Sequence, residues 1–500
     1  MNRLKLLLRE NISLILSNLL YPEKEFSLMP PKKLTFGDLS SNLPLVIAKE
    51  LKKKPMDIGE EILEAFNSKL PNYISKVTVT QPGFLNFEIK KSYFQNQIKT
   101  IMEQSKSFGR GHSGLNKRAN VEFVSANPTG PLTIGHGRNA VLGDTVSNIL
   151  EWQGYDVTRE YYFNDAGRQM RILGESVEAR YNEILGEKFS FPEDGYQGEY
   201  IKEIAQIVLN ESKDKPNLEK EIFKKTAEKE IFKDIKKSLN KLGIHFNIFT
   251  NEKTFYENGD IERLLEELRS KNLIYEKDNA TWFKTSALGK EQDRVFIKST
   301  GEPTYRVPDT AYHKNKVERE FDLIIDVFGA DHADTYPDVL LALEALNQRT
   351  DHIKVLLYQF VTLLKEGEKV KMSTRKANYI TLDYLVKEVG LDVVRYFFIM
   401  RSMNTHLDFD LDLAKDQSEK NPVFYLQYAY ARICNIIKRG ESSETTFNEK
   451  FNPAVLSDPE ELYLLKYLIR FPDFMNLAYE NLEPQNIANY LQELSSRFHK

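Results

Sequence analysis

The sequence predicts an α/β protein organised around a parallel sheet, with an α+β segment before it and helices alone after it. Three observations carry this. Between Asn120 and Phe163 the pattern runs strand, Pro/Gly turn, helix, strand, the alternation that builds parallel sheets. Strand signals return at Leu323–Phe328 and Ile353–Leu357. From Leu391 onward only helical spacing is found.

In order along the chain, residues 1 to about 110 form a first domain. An opening helix is followed by one over Asn42–Lys53, closed by Pro55, and one over Ile58–Phe66. Strands follow around Val77–Val79 and Phe84–Ile89, and the Gly-, Ser- and basic-rich stretch Ser105–Lys117 reads as a linker. The second domain spans 118–385. Val121, Phe123 and Val124 lead into the turn, Ala140–Trp152 carries helical apolar spacing stopped by Gly154, and Val157–Phe163 is the next strand. Residues from about 170 to 280 are Lys/Glu-rich and mostly helical, as in Glu219–Leu242, and read as an insertion between sheet halves. Their mixed charge favours a solvated helix face. The third domain, 386–500, is helical; Ser457-Asp458-Pro459-Glu460 marks a helix start, and Ile487, Tyr490, Leu491, Leu494 and Phe498 form an apolar stripe.

Composition narrows the class. Five hundred residues with 41% hydrophobic and 28% charged side chains suit about three cored domains. The single cysteine, Cys434, excludes a disulfide framework and a cysteine-based zinc cluster, and fits a reducing, cytoplasmic location. The leucines from Leu4 to Leu20 are interrupted by Lys5, Arg9, Glu10, Asn11 and Ser13, which favours an amphipathic helix over a signal peptide. No apolar run approaches membrane-spanning length, so no membrane partner is expected. A net charge of -4 gives nucleic-acid binding no general support; such a surface has to be local.

Two short strings carry the chemistry. The first is Ser125-Ala126-Asn127-Pro128-Thr129-Gly130-Pro131-Leu132-Thr133-Ile134-Gly135-His136. Its turn lies at the carboxyl edge of a strand, where ligands bind in open α/β sheets. Gly135 admits close backbone approach, and His136 opens a helix whose free N–H groups favour phosphate. The other reading is a tight turn with a capping histidine. The second string, Lys371-Met372-Ser373-Thr374-Arg375-Lys376, is a cationic loop able to close over polyphosphate; read alone it is basic surface. In this order, each entered from a strand, they resemble the paired motifs of catalysts that join an amino acid to tRNA through an adenylate.

With both strings in view the chain resembles a class I aminoacyl-tRNA synthetase, and specifically a bacterial-type arginyl-tRNA synthetase. Glu122–His136 resembles the family's extended H-I-G-H region, and Tyr162–Gln169 a block typical of this synthetase. Tyr305–His313 and Gly329-Ala330-Asp331-His332 match two more blocks. Asp392–Arg401, Leu407–Asp410 and Asn421–Arg432 are similar to the start of its anticodon-binding helical domain. The resemblance covers essentially the whole chain.

It implies a Rossmann-type catalytic domain with helical insertions, an α+β N-terminal domain at the tRNA elbow and an all-α anticodon-binding domain. The implied reaction activates L-arginine with ATP to arginyl-adenylate and transfers it to the 3′-terminal adenosine of tRNA(Arg), with tRNA needed for the first step. ATP brings substrate-associated Mg2+, and a monomer is expected. The implied catalytic residues are His136 and Lys371, with Thr133 and Gly135. Gly135, His136, Gly329, Asp331, His332, Lys371, Met372 and Ser373 would bind ATP. Ser125, Asn127, His136, Glu252, Tyr305, Asp309 and His332 would bind arginine. The residue chemistry agrees, because a guanidinium asks for acids and a flat wall, and Asp309 lies one helical turn beyond Tyr305. The plainer readings are a helix N-cap for Asp309 and a packed strand residue for Tyr305. Phe424, Tyr425, Tyr428 and Tyr430 near Arg432 offer stacking surfaces, although helical spacing favours core.

The sequence departs from the family pattern at three places. Thr133 replaces the first histidine of the tetrad, and Thr374 the second lysine of the K-M-S-K-S loop, leaving Arg375 or Lys376 as cationic substitutes. The chain also stops at Lys500 inside an amphipathic helix where the family continues. The expectation is a helical domain incomplete at its end, with weakened anticodon binding or poor solubility. The runner-up function is a catalytically weak or silent tRNA-binding paralogue.

Overall fold

The computed structural model describes residues 2–31, 33–212, 218–370, 380–442 and 451–500. They form two compact units: Gly111–Tyr425 with Ala478–Asn489, and Met1–Arg110 with Leu426–Leu477 and Tyr490–Lys500.

The larger unit is built on β1 (Arg118–Glu122), α1 (Ile134–Trp152), β2 (Asp156–Phe163), α2 (Gly167–Leu185), α3 (Glu199–Ser212), α4 (Lys220–Lys241), β3 (Ile248–Asn251), α5 (Lys253–Glu257), α6 (Arg306–Glu318), β4 (Leu323–Gly329), β5 (Ile353–Tyr358) and α7 (Leu382–Val389). The sheet runs β5-β4-β1-β2-β3 with every pairing parallel. Succession therefore moves outward from β1 in one direction, then resumes on its other side with β4. Such a switch point opens a crevice at the carboxyl ends of β1 and β4. Ala119, Asn120 and Val121 on β1 and Ile324, Ile325 and Asp326 on β4, which alternate between the two faces, are all fully buried, as covering on both faces demands.

Helix α1 starts at Ile134, six residues before the apolar spacing announces it, with Thr133 in extended conformation as its N-cap. The helix start is also pinned from downstream. Thr133 bridges Thr381, the Leu382 N–H donates to Leu132 O (2.8 Å), and the Ile134 N–H donates to Ile380 O (3.3 Å). The chain on either side of the two sequence strings thus meets in space.

The stretch from 170 to 280 is helical only in part. α2, α3 and α4 pack through Leu173, Val177, Ile204, Val208, Ile231 and Ile235. β3, however, is the edge strand of the main sheet, and Ile274–Lys277, Ala280–Phe283 and Arg294–Ile297 form a separate antiparallel sheet. Four-residue strands are too short to show alternation in a Lys/Glu-rich background.

In the smaller unit a four-stranded antiparallel sheet runs in the order Leu28–Met29, Leu39–Ser41, Phe84–Ile89, Ile74–Thr80. Its core takes in Leu465 and Ile469 from the helical C-terminal part. Gln95 Nε2 donates to Leu456 O (2.8 Å), and Lys466 pairs with Asp38 at 2.6 Å. Asp458 caps the helix Pro459–Leu468, accepting from the Glu460 N–H at 2.8 Å while Glu461 accepts from the Asp458 N–H. Tyr428 and Tyr430 are 52% and 71% exposed; helical spacing had suggested core, but they point outward. No helix among the described residues is long and apolar enough to cross a membrane.

Candidate active site

The turn after β1 is strained. Val124 and Ser125 both have positive φ, 65° and 44°, a conformation unfavourable for a β-branched valine and sustained only where surroundings enforce it. The enforcement is visible. The Val124 N–H donates to Asn139 Oδ1 (2.6 Å), and Asn139 Nδ2 donates to Val327 O on β4 (2.9 Å). Ser125 Oγ donates to Glu122 Oε1 (2.8 Å) and accepts from the Tyr162 N–H (3.1 Å). Asn127 Oδ1 accepts from the Asn164 N–H (2.9 Å).

This turn and the end of β4 border a cavity of about 510 Å³. Of the residues expected from sequence, Ser125, Ala126, Asn127, His136, Glu252, Tyr305, Asp309, Gly329, Asp331 and His332 all reach its wall. Leu132 and Ile134 instead point into the core, each 2% exposed. Thr129 offers its carbonyl to Tyr200 Oη (2.8 Å), and a Cβ on Gly130 would stand 2.9 Å from the Tyr200 oxygen, so a larger residue there would push that hydroxyl aside. A Cβ on Gly135 would meet nothing nearer than Thr133 Oγ1 at 3.8 Å; its surroundings are open. Lys371, Met372, Ser373, Thr374, Arg375 and Lys376 lie outside the described residues.

His136 serves both readings made of it. Its Nδ1 accepts from the Thr133 N–H (3.2 Å), which caps the helix and leaves the proton on Nε2. Burial pushes its pKa down to about 4, so the ring is a neutral donor.

Besides the exposed Asp331, three carboxylates converge on the cavity. Glu252, 7% exposed, accepts from Asn164 Nδ2 (2.7 Å) and Tyr162 Oη (3.0 Å), yet burial still raises its pKa. Asp309 sits one turn into α6, its N–H bonded to Tyr305 O at 3.1 Å. Burial lifts it to about 7, with His313 opposing and Glu122 and Glu252 adding to the rise. Glu122 is raised by burial against the pull of Lys316.

Beneath them lies a second cluster. Lys316 has no exposed surface and donates to both Glu122 and Asp326, the latter at 2.5 Å. His313 Nε2 bonds Asp326 Oδ2 (3.1 Å), and its Nδ1 meets Asp309 O (2.8 Å). Glu122, His313 and Asp326 have metal-like spacing, with candidate ligand atoms within 4.8 Å of one another, but the Lys316 ammonium already bridges the two acids. The flat wall of the cavity is Tyr162 stacked on Tyr312, 4.2 Å apart at 11°. Tyr305, expected to be that wall, is 72% exposed at the rim, because it is the N-cap of α6 rather than a packed residue. Glu122, Tyr162, Asn164, Tyr312, His313 and Lys316 were not singled out as site residues from sequence. The available signal was Asp309, His313 and Lys316 recurring at helical spacing on one face.

Residues 97–397 match the family described as tRNA synthetases class I (R), catalytic domain. Residues 3–89 match the arginyl tRNA synthetase N terminal domain and 426–500 the DALR anticodon binding domain. Fold and site thus define a class I aminoacyl-tRNA synthetase. An arginine–tRNA ligase from Desulfotalea psychrophila is 48% identical over 475 residues, covering 94% of this chain and 86% of that protein. One from Salinibacter ruber is 47% identical over 493 residues, covering 95% and 88%. The Thermus thermophilus arginyl-tRNA synthetase structure shares the fold, with a TM-score of 0.74 at 20% identity over 98% of this chain and 90% of that one. The chain belongs to the arginyl-tRNA synthetase family, and its reaction is the ATP-dependent joining of arginine to tRNA with release of AMP and pyrophosphate. A silent paralogue is not favoured.

Proposed function

We propose that the three-carboxylate cavity is the arginine pocket and that ATP lies beside it across the β1/β4 switch. The observation that carries this is that neither Glu252 nor Asp309 forms an ion pair among the described residues, although both open on the cavity. A guanidinium between them supplies the missing charge and lies flat against Tyr162. Ser125 and Asn127 then face the ammonium and carboxylate end. An arginine carboxylate oxygen attacks the α-phosphorus in line, and the bond to the β-phosphate oxygen breaks to release pyrophosphate. His136 Nε2–H and the Gly135 N–H in the first turn of α1, beside the Thr133 cap, stabilise the charge on the α-phosphate. Gly329, Asp331 and His332 border the nucleotide side, and Lys371, Met372 and Ser373, outside the described residues, are assigned to the polyphosphate on their sequence alone. In the second step the 2′-hydroxyl of the terminal adenosine attacks the arginyl carbonyl carbon, and AMP leaves. Magnesium arrives with ATP, since Lys316 occupies the acidic cluster that would otherwise hold a cation. A cytoplasmic monomer of 58.1 kDa completes the reading.

Pyrophosphate exchange into ATP tests it. Exchange is expected with arginine when tRNA is present. Exchange with another amino acid overturns the pocket assignment, and no exchange under any condition, with tRNA still bound, returns the silent paralogue. Light scattering checks the monomer.

A further inference from the structure

Lys316 enters neither step of the reaction. It has no exposed surface, so it meets none of the substrates. Its helix, α6, also carries Tyr312 and Asp309, four and seven residues before it and therefore on the same face. The walls of the pocket come from separate elements. Glu122 and Ser125 lie at the end of β1 and in its turn, Tyr162 on β2, and Asp309 and Tyr312 on α6. How far Asp309 stands from Ser125 is thus set by where α6 docks on the sheet.

Lys316 ties that docking down in two ways. Its ammonium donates to Glu122 Oε2 at the end of β1 and to Asp326 Oδ1 on β4. His313 also reaches β4, and Arg319 reaches Glu160 on β2, but neither bonds Glu122. From Glu122 the tie continues into the turn: Glu122 Oε1 accepts from Ser125 Oγ (2.8 Å), which accepts from the Tyr162 N–H (3.1 Å). A second arm runs through two rings. Lys316 Nζ lies 4.2 Å from the centre of the Tyr312 ring, and Tyr162 stacks on that ring at 4.2 Å and 11°. One face has no room for both, so the ammonium and Tyr162 take opposite faces. Tyr312 is buried, yet its hydroxyl has no hydrogen-bond partner among the described residues. A buried tyrosine ordinarily finds one, so here the ring and not the hydroxyl holds the residue in place. Both arms end on Tyr162, one at its backbone N–H and one at its ring.

We propose that Lys316 is a positioning residue that sets the length of amino acid the pocket accepts, by fixing α6 against the β1 turn and Tyr162 at once. Ser125 is held for the backbone end of the substrate, and Asp309 and the Tyr162 ring for its guanidinium. One buried charge therefore gauges the distance between the two ends. This deepens the arginine-pocket reading and rests on it.

Pyrophosphate exchange with tRNA present tests it, comparing arginine with the guanidino amino acids one methylene shorter and one methylene longer. All three share the ammonium, carboxylate and guanidinium, so the ratio of their kcat/KM values cancels contacts to those groups and reports spacing. A methylene is discriminated by about 10- to 200-fold in an enzyme pocket. Tyr312→Leu cuts the ring arm and Glu122→Gln the carboxylate arm, and each should lower the preference for arginine about tenfold. Tyr312→Phe keeps the ring and should restore the wild-type preference. Lys316→Met, assayed well below its Tm, should lower the preference at least as far as either arm variant. Leu173→Ala, which opens a cavity in the core under α2, controls for lost stability and should keep the preference. An unchanged preference in Lys316→Met or in either arm variant, or an equal fall in Leu173→Ala, leaves Lys316 with packing alone and overturns the proposal. Wild type that exchanges no better with arginine than with an amino acid lacking a guanidinium overturns the pocket reading instead.

Discussion

Asp326 and Asp309 approach the same histidine from opposite sides and end with opposite acidities. Asp326 accepts from His313 Nε2, and Asp309 meets Nδ1 through its backbone carbonyl. Burial raises both carboxyls. At Asp326 the Lys316 ammonium and His313 outweigh burial and hold the group below the usual carboxylate range. At Asp309 no ion pair among the described residues answers burial, and the pKa rises to about 7. Glu160, on the far side of the network, follows Asp326: burial raises it, but Lys316, Arg319 and a bond from Thr250 bring it down. The lower cluster contains its own cation, and the pocket above it is a similar acidic nest in which Glu252 and Asp309 have no cationic partner among the described residues. On the proposed pocket assignment, arginine selectivity would follow from that difference, because a cation entering the pocket meets carboxylates already desolvated and aimed.

Removing the resident cation should have the largest effect. Lys316→Met leaves Asp326 and Glu122 buried without their partner, which costs about 3–5 kcal/mol for a buried pair broken on one side. Urea unfolding of the full chain reads this out. A loss under about 1 kcal/mol would mean the two acids titrate to neutral, erasing the contrast with the pocket.

The same logic inverts at the pocket. Asp309→Asn should raise the arginine KM by roughly 30- to 150-fold, the equivalent of about 2–3 kcal/mol for a charged hydrogen bond. It should also stabilise the protein above pH 7. A carboxyl raised to about 7 in the folded state binds its proton more tightly than in the unfolded chain. Its contribution is therefore full below the unfolded pKa and is lost as pH rises through about 7. Asparagine keeps the neutral form at every pH. A lower Tm at pH 8 with an unaltered arginine KM would place Asp309 in the scaffold and not in the pocket.

A smaller effect is expected from pH alone. A guanidinium favours the charged carboxylate, so binding drives a proton off Asp309. Arginine affinity should climb by up to tenfold per pH unit below about 7 and level off above it. Calorimetry at pH 6 in buffers of different ionisation heat should register close to one proton released, and none in Asp309→Asn. Wild-type binding without proton release would show that a cation already neutralises the pocket.

How far this contrast was legible in the sequence depended on whether each signal was local. Asp309 was readable because one helical turn separates it from Tyr305, and the carboxyl edge of β1 because strand and helix patterns alternate around it. The Tyr162–Tyr312 wall was not, since it depends on where α6 crosses β2 and joins residues far apart in the chain. Lys316 looks like any helix lysine among charged neighbours; only burial distinguishes it. Tyr305 shows the limit from the other direction: its spacing to Asp309 held, but a helix N-cap turned its ring to solvent. β3 vanished into a Lys/Glu-rich stretch because four residues give periodicity nothing to act on.

The finest test concerns how the pocket keeps an acid without a cation. Glu252 is held by two neutral donors, Tyr162 Oη and Asn164 Nδ2, both of which lower its pKa while burial raises it. Tyr162→Phe removes one donor and leaves the ring to stack on Tyr312. The arginine KM should rise about fivefold, near 1 kcal/mol for one neutral hydrogen bond, with kcat unchanged. The alkaline shift of the pH profile separates the outcomes. With one donor gone Glu252 should hold its proton to higher pH, so the loss should shrink as pH increases. A loss as large as that of Asp309→Asn, constant with pH, would mean that the Tyr162 hydroxyl touches arginine directly and that Glu252 has no part in holding the cation.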